Sequence, residues 1–472
     1  MESAFQSEIR KYFSLQPNKD QHLLFNELES FLRARGTKEI LLVKGYAGTG
    51  KTSVLAAFVK TLKHYKINVK LMAPTGRAAK VLANMSGEPA STIHKGIYWR
   101  KSKTDFSSPF TLRPNLNKNT VFIVDEASMI GEGGVDHKTG LDTKDILNDL
   151  IEFVYQGQGC QLIMIGDAGQ LPPVGSDESP ALNQDYLKYF LPWFNVRMVQ
   201  LSEVHRQALS SSILQNATRL RNEQESCCFR FDLHSNNDLI RITGLELQDE
   251  LERAYDEVGK DETLVITRSN KQANLYNQQI RGRILWFEEK LCSGDELMVV
   301  KNNYFWQNEA KNIDFIANGE LIKVERVRSI EELYGFEFCK VLISFPDHKE
   351  YGDLDVIIHT EALNSDSANL NRERMKELFY AIEEDYRHIR SKKERYEAIL
   401  GDPYFNALQV KYAYAVTCHK AQGGQWERVF IDQGFVPEEE SPVSQNRWLY
   451  TALTRAKTKA YLVNFPDDSF SE

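Results

Sequence analysis

The chain lacks the features that would assign it to a membrane or to a structural metal centre. No apolar run approaches the roughly 20 residues of a membrane-spanning helix, and the N-terminus has no signal-peptide core. A cytoplasmic location is the default expectation. The six cysteines, Cys160, Cys227, Cys228, Cys292, Cys339 and Cys418, are scattered and contain no C-x-x-C pair, which argues against a zinc or iron–sulfur site and for reduced thiols. Positive charge is not in excess either: the net charge is −8, which by itself predicts no polyanionic partner, although a whole-chain value says little about a local groove. Internal repeats, low-complexity tracts and nuclease motifs are also absent. What remains is an ordinary composition, 42% hydrophobic and 26% charged, over 472 residues, a length that calls for two or more domains.

The most informative stretch is Glu39-Ile40-Leu41-Leu42-Val43-Lys44 followed by Gly45-Tyr46-Ala47-Gly48-Thr49-Gly50-Lys51-Thr52. It joins an apolar strand to the spacing G-x-x-x-x-G-K-[ST], and the periodic apolar residues Val54, Phe58 and Leu62 predict a helix behind it. Gly45, Gly48 and Gly50 let backbone N–H groups, among them that of Thr49, turn inward around phosphate oxygens at the positive end of that helix. Lys51 is placed for the β- and γ-phosphates and Thr52 for a magnesium ion. A nucleoside triphosphate is the expected ligand.

Two further apolar strands end in chemistry-bearing residues. Val121-Phe122-Ile123-Val124 runs into Asp125-Glu126, which suits a magnesium-holding carboxylate acting through water (Asp125) and a base that orients and deprotonates the attacking water (Glu126). An Asp-Glu pair could equally cap the next helix; the phosphate loop upstream favours the catalytic reading. Gln161-Leu162-Ile163-Met164-Ile165 leads into Gly166-Asp167-Ala168-Gly169-Gln170-Leu171-Pro172-Pro173, and Gln170 then lies at the edge of a parallel sheet where ligands bind.

Near the C-terminus stand Thr417-Cys418-His419-Lys420-Ala421-Gln422-Gly423-Gly424 and Tyr450-Thr451-Ala452-Leu453-Thr454-Arg455-Ala456. Taken in order, these segments resemble the motifs of superfamily 1 DNA helicases, most closely the RecD-like and Dda-like branch, over about Gln21 to Val463. The resemblance implies two RecA-like P-loop motor domains with parallel sheets, a small β-barrel insertion and ATP hydrolysis with magnesium. It further implies 5′-to-3′ travel on single-stranded DNA and unwinding of duplex. Single-stranded DNA and duplex/single-strand junctions are the expected partners, the chain acting as a monomer. An RNA-directed superfamily 1 helicase, or an ATP-switched clamp that does not unwind, stays open as an alternative.

Carried over residue by residue, Gln21 sits where the family reads the adenine edge, Gln170 where it senses the γ-phosphate, and Arg206 and Arg455 where arginines stabilise the transferring phosphoryl group. Outside the motif context each arginine would be read as a surface ion pair. Nucleic-acid contacts fall to Pro74 and Thr75, to Thr92 and His94, and on the second domain to Thr417 and His419. From Lys95 to Thr120 there are six basic residues against one acid, Asp105, interleaved with four aromatics including Tyr98 and Trp99. Phosphate-neutralising residues beside stacking rings suit a strand-separating β-hairpin, and the family carries such a pin here; a plain basic loop over packed rings is the other reading. One departure stands out: many relatives have a serine after Gln-Gly where this chain has Gly424, counted here with the nucleotide-binding residues. A hydroxyl contact is missing there, so any contact must use the backbone.

The expected organisation is a first motor domain over 1–195 with the pin near 95–120, a linker and the start of the second motor domain over 196–290, a β-rich insertion over 291–408, and the remainder of the second domain over 409–472. Between 370 and 400 the pattern turns helical, with Met375, Phe379, Ile382, Tyr386, Ile389, Tyr396 and Leu400 as a near-heptad stripe. A helical hairpin or lever projecting from the barrel fits, and so does an ordinary solvated helix.

Overall fold

The computed structural model describes residues 3–100, 110–135, 142–143, 145–204, 211–227, 229–233, 237–306, 313, 315–367 and 370–471. Two parallel sheets organise the molecule. The first has six strands in the order Asn195–Leu201, Glu39–Gly45, Gln161–Gly166, Thr120–Val124, Asn68–Ala73 and Ala90–Thr92. Every neighbouring pair in it is parallel. The central strands are apolar on both faces, as a sheet covered on both sides requires. Leu41, Val43, Ile123 and Ile163 pack with Val54, Phe58 and Leu62 of the helix behind the phosphate loop, while Ile40, Leu42, Phe122 and Met164 face the opposite core. The edge strand Asn195–Leu201 carries this sheet beyond residue 195.

The second sheet has five parallel strands in the order Leu239–Ile242, Ala456–Val463, Trp426–Asp432, Thr263–Thr267 and Ala415–Thr417. Helix Asn270–Gln279 follows the strand Thr263–Thr267 and runs into a wider turn over Ile280–Ile284. Between the two halves of this sheet lies a five-stranded antiparallel sheet, in the order Leu354–His359, Phe336–Ser344, Leu321–Leu333, Glu296–Val299 and Val410–Tyr412. Leu408 bridges Ile358 just before its chain pairs, as Val410–Tyr412, with the opposite edge, so the sheet closes into a small barrel. Val410–Tyr412 thus serves the barrel, and the chain re-enters the parallel sheet only at Ala415.

Strand Leu321–Leu333 is 13 residues long, and its outer end, Ile330 to Leu333, pairs with Cys339 back to Phe336. Tyr334 and Gly335, both at positive φ, make the tight turn back. The helical segment is two helices, Arg372–Asp385 and Lys392–Leu400, each opened by its own capping side chain, Asn371 and Ser391. Leu378, Ile382 and Ile399 carry their packing onto Phe336, Phe338 and Ile357 of the barrel, while Tyr396 of the expected stripe is exposed. Tyr98–Arg100 pairs antiparallel with Phe110–Leu112 in the region expected to form the pin; the basic and aromatic residues at 101–109 lie outside the described residues. Among the described residues no helix is long and apolar enough to cross a membrane.

The second sheet and the barrel are joined through a buried ion pair. Arg281 donates to both oxygens of Asp295, at 2.8 and 2.9 Å, and Asp295 also accepts from the Cys292 amide at 2.7 Å and the Tyr414 hydroxyl at 3.1 Å. Removing one partner of such a pair strands the other charge away from water. Asp295→Ala is therefore expected to cost about 3–5 kcal/mol in urea unfolding. A loss under about 1 kcal/mol, the range of an exposed pair, would show that Arg281 stays solvated.

Candidate functional site

The phosphate loop is shaped by its glycines. Gly48 and Gly50 have φ of 76° and 81°, and Gly50 opens the helix Lys51–His64. A Cβ on Gly45 would meet the Lys51 side chain at 2.6 Å and the Thr49 hydroxyl at 3.0 Å, so the loop and its lysine occupy the space any side chain there would need. Lys51 Nζ donates to the carbonyls of Gly45 at 2.5 Å and Tyr46 at 2.9 Å and lies 3.7 Å from the Asp167 carboxylate. Thr49 closes the turn on the Tyr46 carbonyl, and Thr52 follows Lys51 in the first turn of the helix.

Gln21 is fully buried under this loop. It stands at the third position of a helix capped by Asn18, its Oε1 accepts from the Asn18 amide at 3.0 Å, and its Nε2 donates to the Thr49 carbonyl at 2.9 Å. In this state the amide braces the phosphate loop from behind.

Asp125 and Glu126 follow the strand Thr120–Val124 at the same sheet edge. Asp125 accepts from the Glu126 amide at 2.9 Å, and its carboxyl is pushed up to about 7 by burial and by the neighbouring Glu126 carboxylate, against the pull of that amide and of Lys51. A carboxyl that prefers its proton in a closed polar cleft is one that a divalent cation would displace the proton from. Glu126 sits at φ 53°, ψ 35°, an uncommon conformation for a residue with a Cβ. Gln170 is buried, and its Oε1 has no hydrogen-bond partner. A buried acceptor left unsatisfied three residues after Asp167, the carboxylate that faces Lys51, marks room for a ligand or its water. The donor set therefore fits ATP with magnesium: Thr52 and Asp125 would hold the ion, and the glycine-lined loop the phosphates.

The second parallel sheet reaches into this site through the helix Pro442–Leu453. The Tyr450 hydroxyl accepts from the Ala47 amide of the phosphate loop at 2.8 Å and donates to Asp167 at 2.7 Å. Burial, followed by the Asp167 carboxylate, raises its pKa well above the usual phenol value, so it stays a donor. Thr451 accepts from the Leu171 amide at 2.9 Å, and Gln422 donates to the Leu171 carbonyl at 2.7 Å. Asp167 and Tyr450 lie inside motif segments readable in the sequence, but nothing local distinguished their roles; only the contact does.

Arg455 is buried and turned into its own domain, donating to the carbonyls of Thr451 at 3.0 Å and Gly424 at 3.2 Å and to the Thr454 hydroxyl at 3.1 Å. The reason for glycine at 424 is steric: a Cβ there would lie 2.4 Å from the Trp426 ring and 3.0 Å from Arg77 Cδ. A serine has no space, and the backbone carbonyl takes the arginine instead. Arg206 lies outside the described residues.

The expected nucleic-acid residues follow other strands of the two parallel sheets. Thr75, after Pro74, caps the helix Gly76–Ser86, and Thr92 caps the helix Ile93–Ile97, each accepting one backbone amide at 3.2 Å. Capping uses the hydroxyl oxygen as acceptor and leaves the O–H proton able to donate to a phosphate. His94 lies 5.6 Å from the Tyr98 ring. Tyr98 itself is buried and donates to Asp149 at 2.5 Å, whereas Trp99 is 43% exposed, so of the two rings expected to stack on bases only Trp99 presents an open surface. On the second sheet Thr417 ends the strand Ala415–Thr417, and His419 follows in a half-buried turn that lowers its pKa.

Residues 28–244 match the AAA domain, and residues 412–463 match the UvrD-like helicase C-terminal domain. Among curated proteins, the chain is 24% identical to the uncharacterized protein R530 of Acanthamoeba polyphaga mimivirus over 94% of this chain and 98% of that one. It is 25% identical to the ATP-dependent DNA helicase dda of Enterobacteria phage T4 over 90% of this chain and 94% of that one. It is 24% identical to the ATP-dependent RecD2 DNA helicase of Deinococcus radiodurans over 94% of this chain and 50% of that one.

Proposed function

We propose that this chain, an ATP-dependent DNA helicase of superfamily 1 in the RecD-like and Dda-like branch, travels 5′ to 3′ on single-stranded DNA and parts the duplex ahead of it. The observation that carries the reading is the contact between the two halves at the phosphate loop: Tyr450 of the second accepts from the Ala47 amide and donates to Asp167, which lies 3.7 Å from Lys51. A site built from two halves changes when they move.

Thr52 and Asp125 would hold magnesium, which would supply positive charge against the phosphate oxygens. Lys51 passes from the Gly45 and Tyr46 carbonyls to the phosphates. Glu126 takes a proton from the attacking water, and Gln170 uses its open Oε1 to orient that water. Arg455 must leave the Thr451 and Gly424 carbonyls to reach the transferring group, and that release is the step in which the second domain completes the site. Alternating grip by the loops at Thr75 and Thr92 and by those at Thr417 and His419 then advances the strand.

Forked substrates with a single-stranded arm on one side test direction. A duplex with a 5′ overhang is expected to be unwound and one with a 3′ overhang to stay intact; unwinding from the 3′ overhang alone sinks the polarity. The same assay with RNA arms separates the RNA-directed alternative, and ATPase without strand separation would identify a clamp.

A further inference from the structure

Trp426 opens the strand Trp426–Asp432 of the second parallel sheet, and Arg77 stands in the first turn of the helix Gly76–Ser86 beside the first. The guanidinium carbon lies 4.1 Å from the centre of the indole ring, and Nη2 donates to the Gln425 carbonyl at 3.2 Å. This stack spans the two motor halves at the loops expected to hold the strand: a Cβ on Gly423 would lie 2.8 Å from the Ala78 Cβ and 3.2 Å from the Thr75 hydroxyl. It also packs on Gly424, whose carbonyl holds Arg455 inside its own domain.

A 520 Å³ cavity opens at the stack, between both motor halves and the barrel. Four cations line its described wall. Lys80 is paired with Asp347 at 2.6 Å, Lys260 with Glu296 at 3.3 Å and Lys457 with Glu262 at 2.9 Å. Among the described residues the fourth, Arg77, forms no ion pair within 4.0 Å, although Asp347, Glu262, Glu296 and Asp261 favour its charge from farther off. Its planar fork of donors is matched to a phosphate and is held instead against a neutral ring, in a place where burial works against its charge.

We propose that Arg77 is a strand-displaced bridge: without DNA it lies on Trp426 and ties the motor halves together, and an entering single strand draws it onto a backbone phosphate, leaving the indole face for a base. The exchange replaces one cation–ring contact and the bond to the Gln425 carbonyl by a charge-assisted phosphate contact and a base stack, so the strand favours it. Freed of the stack, the Gly424 loop can move and release Arg455, which makes ATP turnover depend on DNA. Arg77 is thus a positioning residue acting through Gly424 and Arg455. The inference rests on the reading of the Thr75 loop as strand-contacting.

The test measures DNA-free ATP turnover and the affinity for fluorescein-labelled oligothymidylate in the wild type, Arg77→Ala and Arg77→Lys. In Arg77→Ala, DNA-free turnover is expected to rise several-fold and oligothymidylate affinity to fall several-fold. Arg77→Lys keeps a charge for the phosphate but not the flat fork for the ring, so its affinity should stay near wild type while its DNA-free turnover stays raised. Should Arg77→Ala melt early, Arg77→Lys carries the comparison. DNA-free turnover in Arg77→Lys equal to that of the wild type without DNA overturns the bridge. In a folded Arg77→Ala, unchanged oligothymidylate affinity overturns the exchange. A wild type whose turnover ignores DNA fails at an earlier point, the helicase reading itself, and takes the bridge with it.

Discussion

Lys51→Ala is expected to lower kcat for ATP by at least about a hundredfold, the scale of losing one charge-stabilising donor in a closed site, and to leave the fold intact. The lysine ammonium is the cation of the phosphate loop, and the loop is shaped around it: a Cβ on Gly45 would collide with its side chain, and its ammonium bridges the Gly45 and Tyr46 carbonyls to within 3.7 Å of Asp167. Those carbonyls keep it pointing along the loop, so phosphates entering the cleft meet a positioned donor rather than a free chain. The fold should survive because Asp167 keeps two hydrogen bonds, from the Gly169 amide at 2.9 Å and from Tyr450, when the ammonium is gone. The measurement pairs steady-state ATPase with a thermal melt. Wild-type turnover in a folded Lys51→Ala protein would contradict the assignment of the loop.

Glu126→Gln is expected to lower kcat by roughly 10²- to 10⁴-fold, the usual contribution of a general base, while nucleotide affinity changes little. Gln has the volume of Glu and tolerates the same backbone, so the substitution removes the proton acceptor without moving the turn. That turn is costly: a non-glycine residue at φ 53° stores about 1–2 kcal/mol, which a purely structural residue could shed by being glycine. Glu126 also stands next to Asp125 and helps keep that carboxyl protonated near neutral pH. In the glutamine variant Asp125 should therefore bind magnesium at least as well, and a loss of turnover with fluorescent-nucleotide binding retained separates the base from the metal ligand. Loss of binding and turnover together would make Glu126 a ligand-site residue instead.

Much of this was legible in the chain. The buried strands read as apolar runs, and the spacing of Gly45, Gly48, Gly50 and Lys51 is a local constraint that leaves a local mark. The full length of strand Leu321–Leu333 was not legible, because the charged residues of its outer half look like the end of a strand. A hairpin was one of the two readings of 370–400, but the place of the break between Arg372–Asp385 and Lys392–Leu400 was not legible, because a continuous stripe of Phe, Ile and Tyr hid the two caps. Val410–Tyr412 was read with the motor domain because its apolar character suits either sheet; pairing with Glu296–Val299 decided it.

The sequence alone determined the elements of a nucleotide motor: a strand, a glycine loop, a helix, and the carboxylates and glutamine at the ends of two further strands. These depend on backbone freedom, periodicity and side-chain chemistry within a few residues. Only the tertiary structure decided which groups meet. Tyr450 joins Ala47 and Asp167 across 403 and 283 residues of chain, Arg455 finds the Gly424 carbonyl, and Arg77 lies on Trp426. Contacts at that separation exist only once two sheets have packed and their loops face one another, so no stretch of either partner announces them. Gly424 shows both sides of this: its lack of a side chain was plain in the sequence, and the ring that forbids one was not.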